Sequence, residues 1–408
     1  MSKARVLIIS ANLEIGGIER SLLGLLNALD YDRVDVHLFL HRCAGPFLKF
    51  LPSGPRLLPE VSVFATFQRP IVDIVREGYY QIASGRVRAK VAARFQRGPR
   101  DFLERDYLVV QKSWRFALPS LPMINGDYDL ILSFMGPHYV ATHRARGRIR
   151  VGWIHTDYRS IPNDGTGEFA MWDSLDYIAA VSEECRGSFV EKFPALSRKT
   201  MVVENILSPT LVRFQAGEFD VEREMPQEPG VFRILTVGRF SSFQKGFDDA
   251  IIACRALLDQ GCRIRWYVIG YGPDEHMIRT LITENGLERS FIILGKKENP
   301  YPYMRACDLY VQPSRYEGKA VTVREAQTLG KPVMITRFPT SASQLDDGVD
   351  GYICEQGSAG IVNGIRFLMD NSAFRERIAS TAAARDYSNR GEVRKIYALL
   401  ESVRQVRP

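Results

Sequence analysis

Tyr316-Glu317-Gly318-Lys319-Ala320-Val321-Thr322-Val323-Arg324-Glu325-Ala326-Gln327-Thr328-Leu329-Gly330-Lys331-Pro332-Val333 reads as a glycine turn, a helix and the start of a strand. An apolar run, Leu309 to Val311, precedes it and reads as another strand. Gly330-Lys331-Pro332 stops the helix, whose expected span is 321–329. Strand, turn, helix and strand form the repeating unit of a parallel sheet. The first amides of such a helix have no internal partners, so the turn makes a pocket for an anion. Glu317 on the turn and Glu325 inside the helix stand eight positions apart, placed to grip hydroxyl groups of one ligand.

The same alternation runs outward in both directions. Strands are expected at 232–237, 265–269, 291–294, 309–311, 332–335 and 352–354, with helices at 247–260, 274–285 and 321–329. The first half repeats the theme, with strands at 5–10, 34–40, 128–134, 150–158, 177–183 and 202–206. Between the halves, 207–230 carries Gly217, Pro226, Glu228, Pro229 and Gly230, a composition that marks a connection. The expected organisation is therefore α/β: two Rossmann-like, doubly wound domains at 1–206 and 231–385, facing a cleft. An amphipathic segment within 386–408 would return as a helix to brace the first domain.

Composition bounds the function. The 408 residues suit two domains, and the 45% hydrophobic and 25% charged fractions are those of a globular chain. No uncharged apolar run approaches the roughly 18 residues a membrane helix needs. The basic N-terminal stretch through Ser10 has too short an apolar run for a signal peptide and reads as a buried strand, placing the protein in the cytoplasm. Six cysteines without a C-x-x-C pair read as small core residues rather than a disulfide framework or zinc site. Asp127-Tyr128-Asp129 leads into a strand and reads as structural, so no metal site is expected.

The net charge of +7 is concentrated in one region. Between Gln68 and Arg150, fifteen Lys and Arg face seven Asp and Glu. A solvated face, an anionic lipid surface at the inner side of the plasma membrane and a polyanionic acceptor all fit this excess. No nucleic-acid-binding motif accompanies it. Tyr79, Tyr80, Ile82, Val87, Val91, Phe95 and Phe102 form a stripe of rough helical spacing here, suited to packing on the sheet or to facing a membrane or acceptor.

Residues that carry chemistry gather at strand ends. Val237-Gly238-Arg239 ends one strand, and Gln244-Lys245-Gly246 precedes the next helix, so two cations stand where a diphosphate would need them. Gly16-Gly17, after the first strand, lets backbone approach a ligand closely. His155, at a strand end beside Asp157 and Tyr158, is a site candidate rather than a core histidine.

Val237-Gly238-Arg239, Lys245-Gly246, Ile269-Gly270-Tyr271-Gly272-Pro273, Leu294-Gly295-Lys296 and the Glu317/Glu325 pair together resemble family 4 glycosyltransferases. The resemblance covers the second domain and, more loosely, Gly16-Gly17 and the C-terminal helix. It implies the GT-B fold, a nucleotide-diphosphate sugar donor, retention at the anomeric carbon and no metal or other cofactor. Carried over, Arg239 and Lys245 hold the donor diphosphate, with Gly238 and Gly272 beside it. Glu325 holds the ribose, and Gly295 and Lys296 frame the base. Glu317 contacts the transferred sugar, helped by Gly318 and the backbone from Lys319 through Ala320 to Val321. Gly16 and Gly17 approach the donor from the first domain, and His155 contacts its sugar. Asp157 and Tyr158 are acceptor candidates.

Lys319 stands where many members carry an aromatic residue, and Gln344 where many carry Glu. Glu317-Gly318-Lys319 with Thr340, Gln344 and Trp153-Ile154-His155 resembles the branch that builds bacterial surface polysaccharides. The expectation is a transferase moving a hexose or N-acetylhexosamine from a UDP donor to a lipid-linked or glycan acceptor. No carboxylate is placed as an obvious nucleophile; front-face displacement is expected, with Glu317 as nucleophile the minority alternative. A nucleotide-sugar epimerase of the same fold and a non-catalytic, glycan-binding partner subunit are the rival readings. The first needs further acid–base groups, and the second is opposed by the intact Arg239, Lys245, Glu317 and Glu325.

Overall fold

A computed structural model describes residues 3–95, 102–161 and 166–405; Arg97, Arg100 and Asp101 of the basic region lie outside them. The chain forms two compact units, Met1–Ile206 with Arg390–Pro408, and Leu207–Asn389. The first is built on β1 (Ala4–Ser10), β2 (Val34–Leu40), β3 (Arg56–Leu57), β4 (Asp127–Ser133), β5 (Arg146–Ile154), β6 (Tyr177–Ala180) and β7 (Thr200–Val202). They lie in the order β3-β2-β1-β4-β5-β6-β7, every pair parallel. The second holds β8 (Phe232–Val237), β9 (Ile264–Ile269), β10 (Phe291–Gly295), β11 (Leu309–Gln312), β12 (Val333–Thr336) and β13 (Tyr352–Cys354). Their order is β10-β9-β8-β11-β12-β13, again all parallel.

Two Rossmann-like units in succession are the GT-B fold. The strands are apolar runs because helices cover both faces of a parallel sheet: Val6, Leu7, Ile8 and Ile9 of β1 are all buried. Each strand order turns back on itself once, between β1 and β4 and between β8 and β11. At such a reversal the loops leaving two adjacent strands diverge, and a crevice opens at the carboxyl ends. The fold therefore fixes in advance which loops can form a site: those after β1, β4, β8 and β11.

Residues 207–230, read from composition as a connection, are part of the second unit. The helix Pro209–Gln215 forms there, and Leu207, Val212, Ala216, Val221 and Met225 enter that unit's core. Their apolar spacing outweighs the turn residues around them. The last helix, Val393–Gln405, packs on the first unit through Ile396, Tyr397, Leu399 and Leu400. Its Tyr397 hydroxyl accepts from the Asp30 amide at 2.7 Å, and its ring lies 4.2 Å from the Arg33 guanidinium.

No helix among the described residues is long and apolar enough to cross a membrane. The six cysteines are all free.

Ile396 is almost fully buried, so Ile396→Ala should cost about 2–5 kcal/mol. A urea titration followed by fluorescence should show it, because Trp153 and Trp172 are both buried in the unit this helix braces.

Candidate active site

The loop after β8 carries Gly238 and Arg239, and a single helical turn, Ser242–Lys245, follows. Gly246 then adopts a left-handed conformation, φ 64°, and a Cβ there would lie 2.1 Å from the Pro313 carbonyl oxygen. Only glycine lets this loop seat against the one leaving β11. The seating brings Lys245 Nζ within 2.5 Å of Glu317 Oε1. Arg239 is exposed at the end of β8, with no ion-pair partner among the described residues.

Glu317 is 5% exposed and held from several directions. Its Oε1 also accepts from Ser314 Oγ at 2.6 Å and Gln312 Nε2 at 3.2 Å. Its backbone carbonyl accepts from Thr340 Oγ1 at 2.9 Å. Lys245, Ser314 and Gln312 thus converge on the single oxygen Oε1. Arg315 ties the loop to the start of the helix Phe247–Asp259 through Asp248 and Asp249.

Ala320 caps the helix Val321–Thr328 without a side-chain hydrogen bond of its own. Gln344 takes up the cap instead, its Oε1 accepting from the Ala320 amide at 2.7 Å and its Nε2 donating to the Ala320 carbonyl at 3.2 Å. The Ala320 amide is thus engaged, and the helix offers Val321 and Thr322 as its anion-facing amides. Lys319 and Gly318 are buried beside it. Glu325, one turn in, is fully buried and its Oε1 accepts from the Tyr301 hydroxyl at 2.7 Å. Sequence reasoning missed Tyr301, which lies 24 positions from Glu325 in the chain with no periodic pattern linking the two. Gly295 ends β10 in a left-handed conformation, and Lys296 Nζ stands 4.7 Å above the Tyr271 ring. Gly272 packs against the Phe240 backbone. Arg239, Lys245, Glu317 and the start of the helix Val321–Thr328 thus all lie on the segments that leave β8 and β11, the two strands at the reversal of order.

In the first unit, Gly16 is the cap of the helix Gly17–Ala28. A Cβ on Gly16 would lie 2.2 Å from Glu19 Oε2, so the Glu19 carboxyl folds back over the cap. Burial pushes that carboxyl up to about 7. Sequence reasoning passed over Glu19; the signal was a carboxylate three residues past a cap, the capping-box position.

β5 ends at Ile154, so His155 stands on the loop beyond it. His155 Nε2 donates to the Phe134 carbonyl at 2.8 Å. Burial holds its pKa down to about 4, which leaves a neutral ring with Nδ1 as an acceptor. Nearby His138 pairs Nδ1 with Ser133 Oγ at 2.8 Å. Asp157 and Tyr158, the acceptor candidates, are both buried. Asp157 caps the turn Tyr158–Ser160 through the Arg159 amide. The Tyr158 hydroxyl joins Glu168, Tyr107 and Trp172 in an internal network. The structure spends both side chains on packing rather than presenting them to an acceptor. No cluster of three or more metal-ligating side chains occurs among the described residues.

Residues 220–385 match the sequence profile of the glycosyl transferases group 1 family. The second unit thus carries the sequence pattern of a group 1 glycosyl transferase domain. The amylovoran biosynthesis glycosyltransferase AmsK of Erwinia amylovora is 32% identical over 135 residues, 31% of this chain and 33% of that protein. The putative colanic acid biosynthesis glycosyltransferase WcaL of Salmonella typhimurium is 31% identical over 142 residues, 32% of this chain and 34% of its own. The matches thus span about a third of the length of these relatives. Among solved structures, Anabaena Alr3699/HepE in complex with UDP and glucose superposes with TM-score 0.67 at 17% identity, covering 98% of this chain and 100% of that one. S. aureus TarM superposes at TM-score 0.68 and 13% identity, covering 97% and 99%. At these identities the likeness shows the shared GT-B fold.

Two stability outcomes follow. Glu317→Ala strands Lys245 beside a cavity and should cost about 3 kcal/mol in a denaturant titration, while Glu317→Gln keeps an acceptor for Ser314 and costs less. For Glu19, the ordinary carboxyl value is 4.5 and the folded one about 7. Between them the folded protein keeps a proton that the unfolded chain has released. Stability should fall as pH rises through that window, by roughly 3 kcal/mol, and a Glu19→Gln variant should flatten the melting-temperature profile.

Proposed function

We propose that the protein is a retaining glycosyltransferase that moves a hexose or N-acetylhexosamine from a UDP-sugar to a lipid-linked or polysaccharide acceptor. The observation that carries this reading is the Lys245–Glu317 pair beside exposed Arg239 at the β8/β11 reversal. Glu317 serves as counter-ion to Lys245. A bound diphosphate takes over that role, and the released carboxylate turns to the sugar hydroxyls. Arg239, Lys245 and the amides of Val321 and Thr322 then receive the charge that develops on the departing UDP, work that a divalent cation would otherwise do.

The glycosyl–phosphate bond breaks as the acceptor oxygen attacks from the same face. The acceptor's proton passes to the departing phosphate oxygen, and configuration is retained. Glu325 is assigned to the ribose, and Lys296 with Gly295 to the base. Neutral His155 is assigned to accept from a sugar hydroxyl through Nδ1. AmsK and WcaL carry polysaccharide-biosynthesis names, which supports a glycan or lipid-linked acceptor. A lipid-linked acceptor would hold the enzyme at the inner face of a membrane.

A screen of nucleotide sugars reading nucleotide release, with and without membrane extract and with EDTA throughout, tests the reading. Release of UDP, with the α-anomer kept in the product by NMR, is expected; an isomerised sugar nucleotide would instead reveal an epimerase. Arg239→Ala or Lys245→Ala should each lower kcat by about 10²–10³-fold. If the double variant bound UDP as tightly as wild type, the donor assignment would be wrong. A Glu317→Gln enzyme with near-normal turnover would remove Glu317 from any nucleophilic role.

A further inference from the structure

The basic region of the first unit is not one surface. Arg146 pairs with Asp127 at 2.8 Å and Arg148 with Asp129 at 4.0 Å, at the starts of β5 and β4. The Arg150 guanidinium donates to the Ala141 carbonyl, and that of Arg144 to the Leu118 carbonyl. Arg69 is paired with Glu77. These arginines are spent within the fold.

The helix Tyr80–Phe95 is different. It carries Arg86, Arg88, Lys90 and Arg94 and no acidic residue. Arg86 points inward, donating to the Thr66 and Arg69 carbonyls at 2.5 and 2.7 Å. Arg88, Lys90 and Arg94 are exposed, and Lys90 and Arg94 have no ion-pair partner among the described residues. The helix also has two apolar faces. Ile82, Ala83, Ala89 and Ala93 are buried in the unit. Tyr80, Val87, Val91 and Phe95 are 67%, 47%, 51% and 80% exposed. At about 100° per residue these four share one narrow face, with Arg88 on one flank and Lys90 and Arg94 on the other. The short helix Ile71–Arg76 before it adds exposed Val72 and Val75.

We infer that this face docks in the headgroup region of an anionic lipid bilayer. Single exposed apolar side chains need no explanation, but six in consecutive helices, rimmed by cations, do. A second copy of the chain would set these cations against their equivalents. A nucleic acid or polyanionic glycan would meet the cations and leave Val87, Val91 and Phe95 in water. A bilayer surface takes both, with the acyl boundary for the apolar stripe and anionic headgroups for its flanks. Docking here would hold the enzyme where a lipid-linked acceptor is found. In that purpose the inference rests on the proposed function, but its chemistry does not.

The experiment is co-sedimentation of the full chain with phosphatidylcholine vesicles, with and without phosphatidylglycerol, alongside the UDP-release assay in solution. Wild type should bind the anionic vesicles and lose them as salt is raised. R88Q/K90Q/R94Q should lower the partition coefficient about a hundredfold. V87S/V91S/F95S should lower it at least about tenfold while keeping the salt dependence. Both sets of side chains are exposed, so thermal melts and UDP release should match wild type. Equal vesicle binding by wild type and both variants would overturn the inference. So would a wild-type dimer that ignores vesicles and is dissolved by V87S/V91S/F95S. Vesicle binding without any sugar-nucleotide turnover would instead count against the proposed transferase alone.

Discussion

An ammonium and a carboxylate held 2.5 Å apart and largely out of water are costly to assemble, because each gives up hydration that the other restores only in good geometry. Much of the ligand-facing edge of the second sheet can be read as meeting that condition. The left-handed Gly246 brings one loop under another, and Arg315 clips the second loop to the helix that follows the first. Ser314, Gln312 and Thr340 then fix the carboxylate that Lys245 meets. A site braced this way is organised before any ligand arrives. Under the proposed function, binding would exchange one anion for another around a lysine that is already in place.

The strands and the loops at their carboxyl ends were legible in the sequence, because buried parallel strands are continuous apolar runs. The strands 34–40, 232–237 and 352–354 appear with the limits their apolar runs suggest. What was not legible depends on partners distant in sequence. Nothing near Glu325 announces the Tyr301 hydroxyl, and nothing near Tyr158 announces Glu168. The helix Gly357–Asp370 was missed because glycine argues against helix. Gly364 is there for space: a Cβ would come within 2.7 Å of Met334 Sδ.

The helix Tyr80–Phe95 shows another limit of periodicity. Apolar spacing identifies a helix, but it does not say which apolar face meets the core when there are two. The alanine-rich face with Ile82 was the buried one, since small side chains let a helix lie close to its neighbours, and Tyr80, Val87, Val91 and Phe95 remained outside.

Gln344 has a consequence of its own. It holds Ala320 by accepting at one atom and donating at the other, a pairing that an ionised glutamate cannot make because it has no proton to give. The amide secures the start of the helix without adding negative charge beside the amides of Val321 and Thr322. The pocket is therefore one unit less negative than a glutamate would leave it. A neutral cap keeps the positive end of this helix uncompensated, so the Val321 and Thr322 amides stay receptive to an anion.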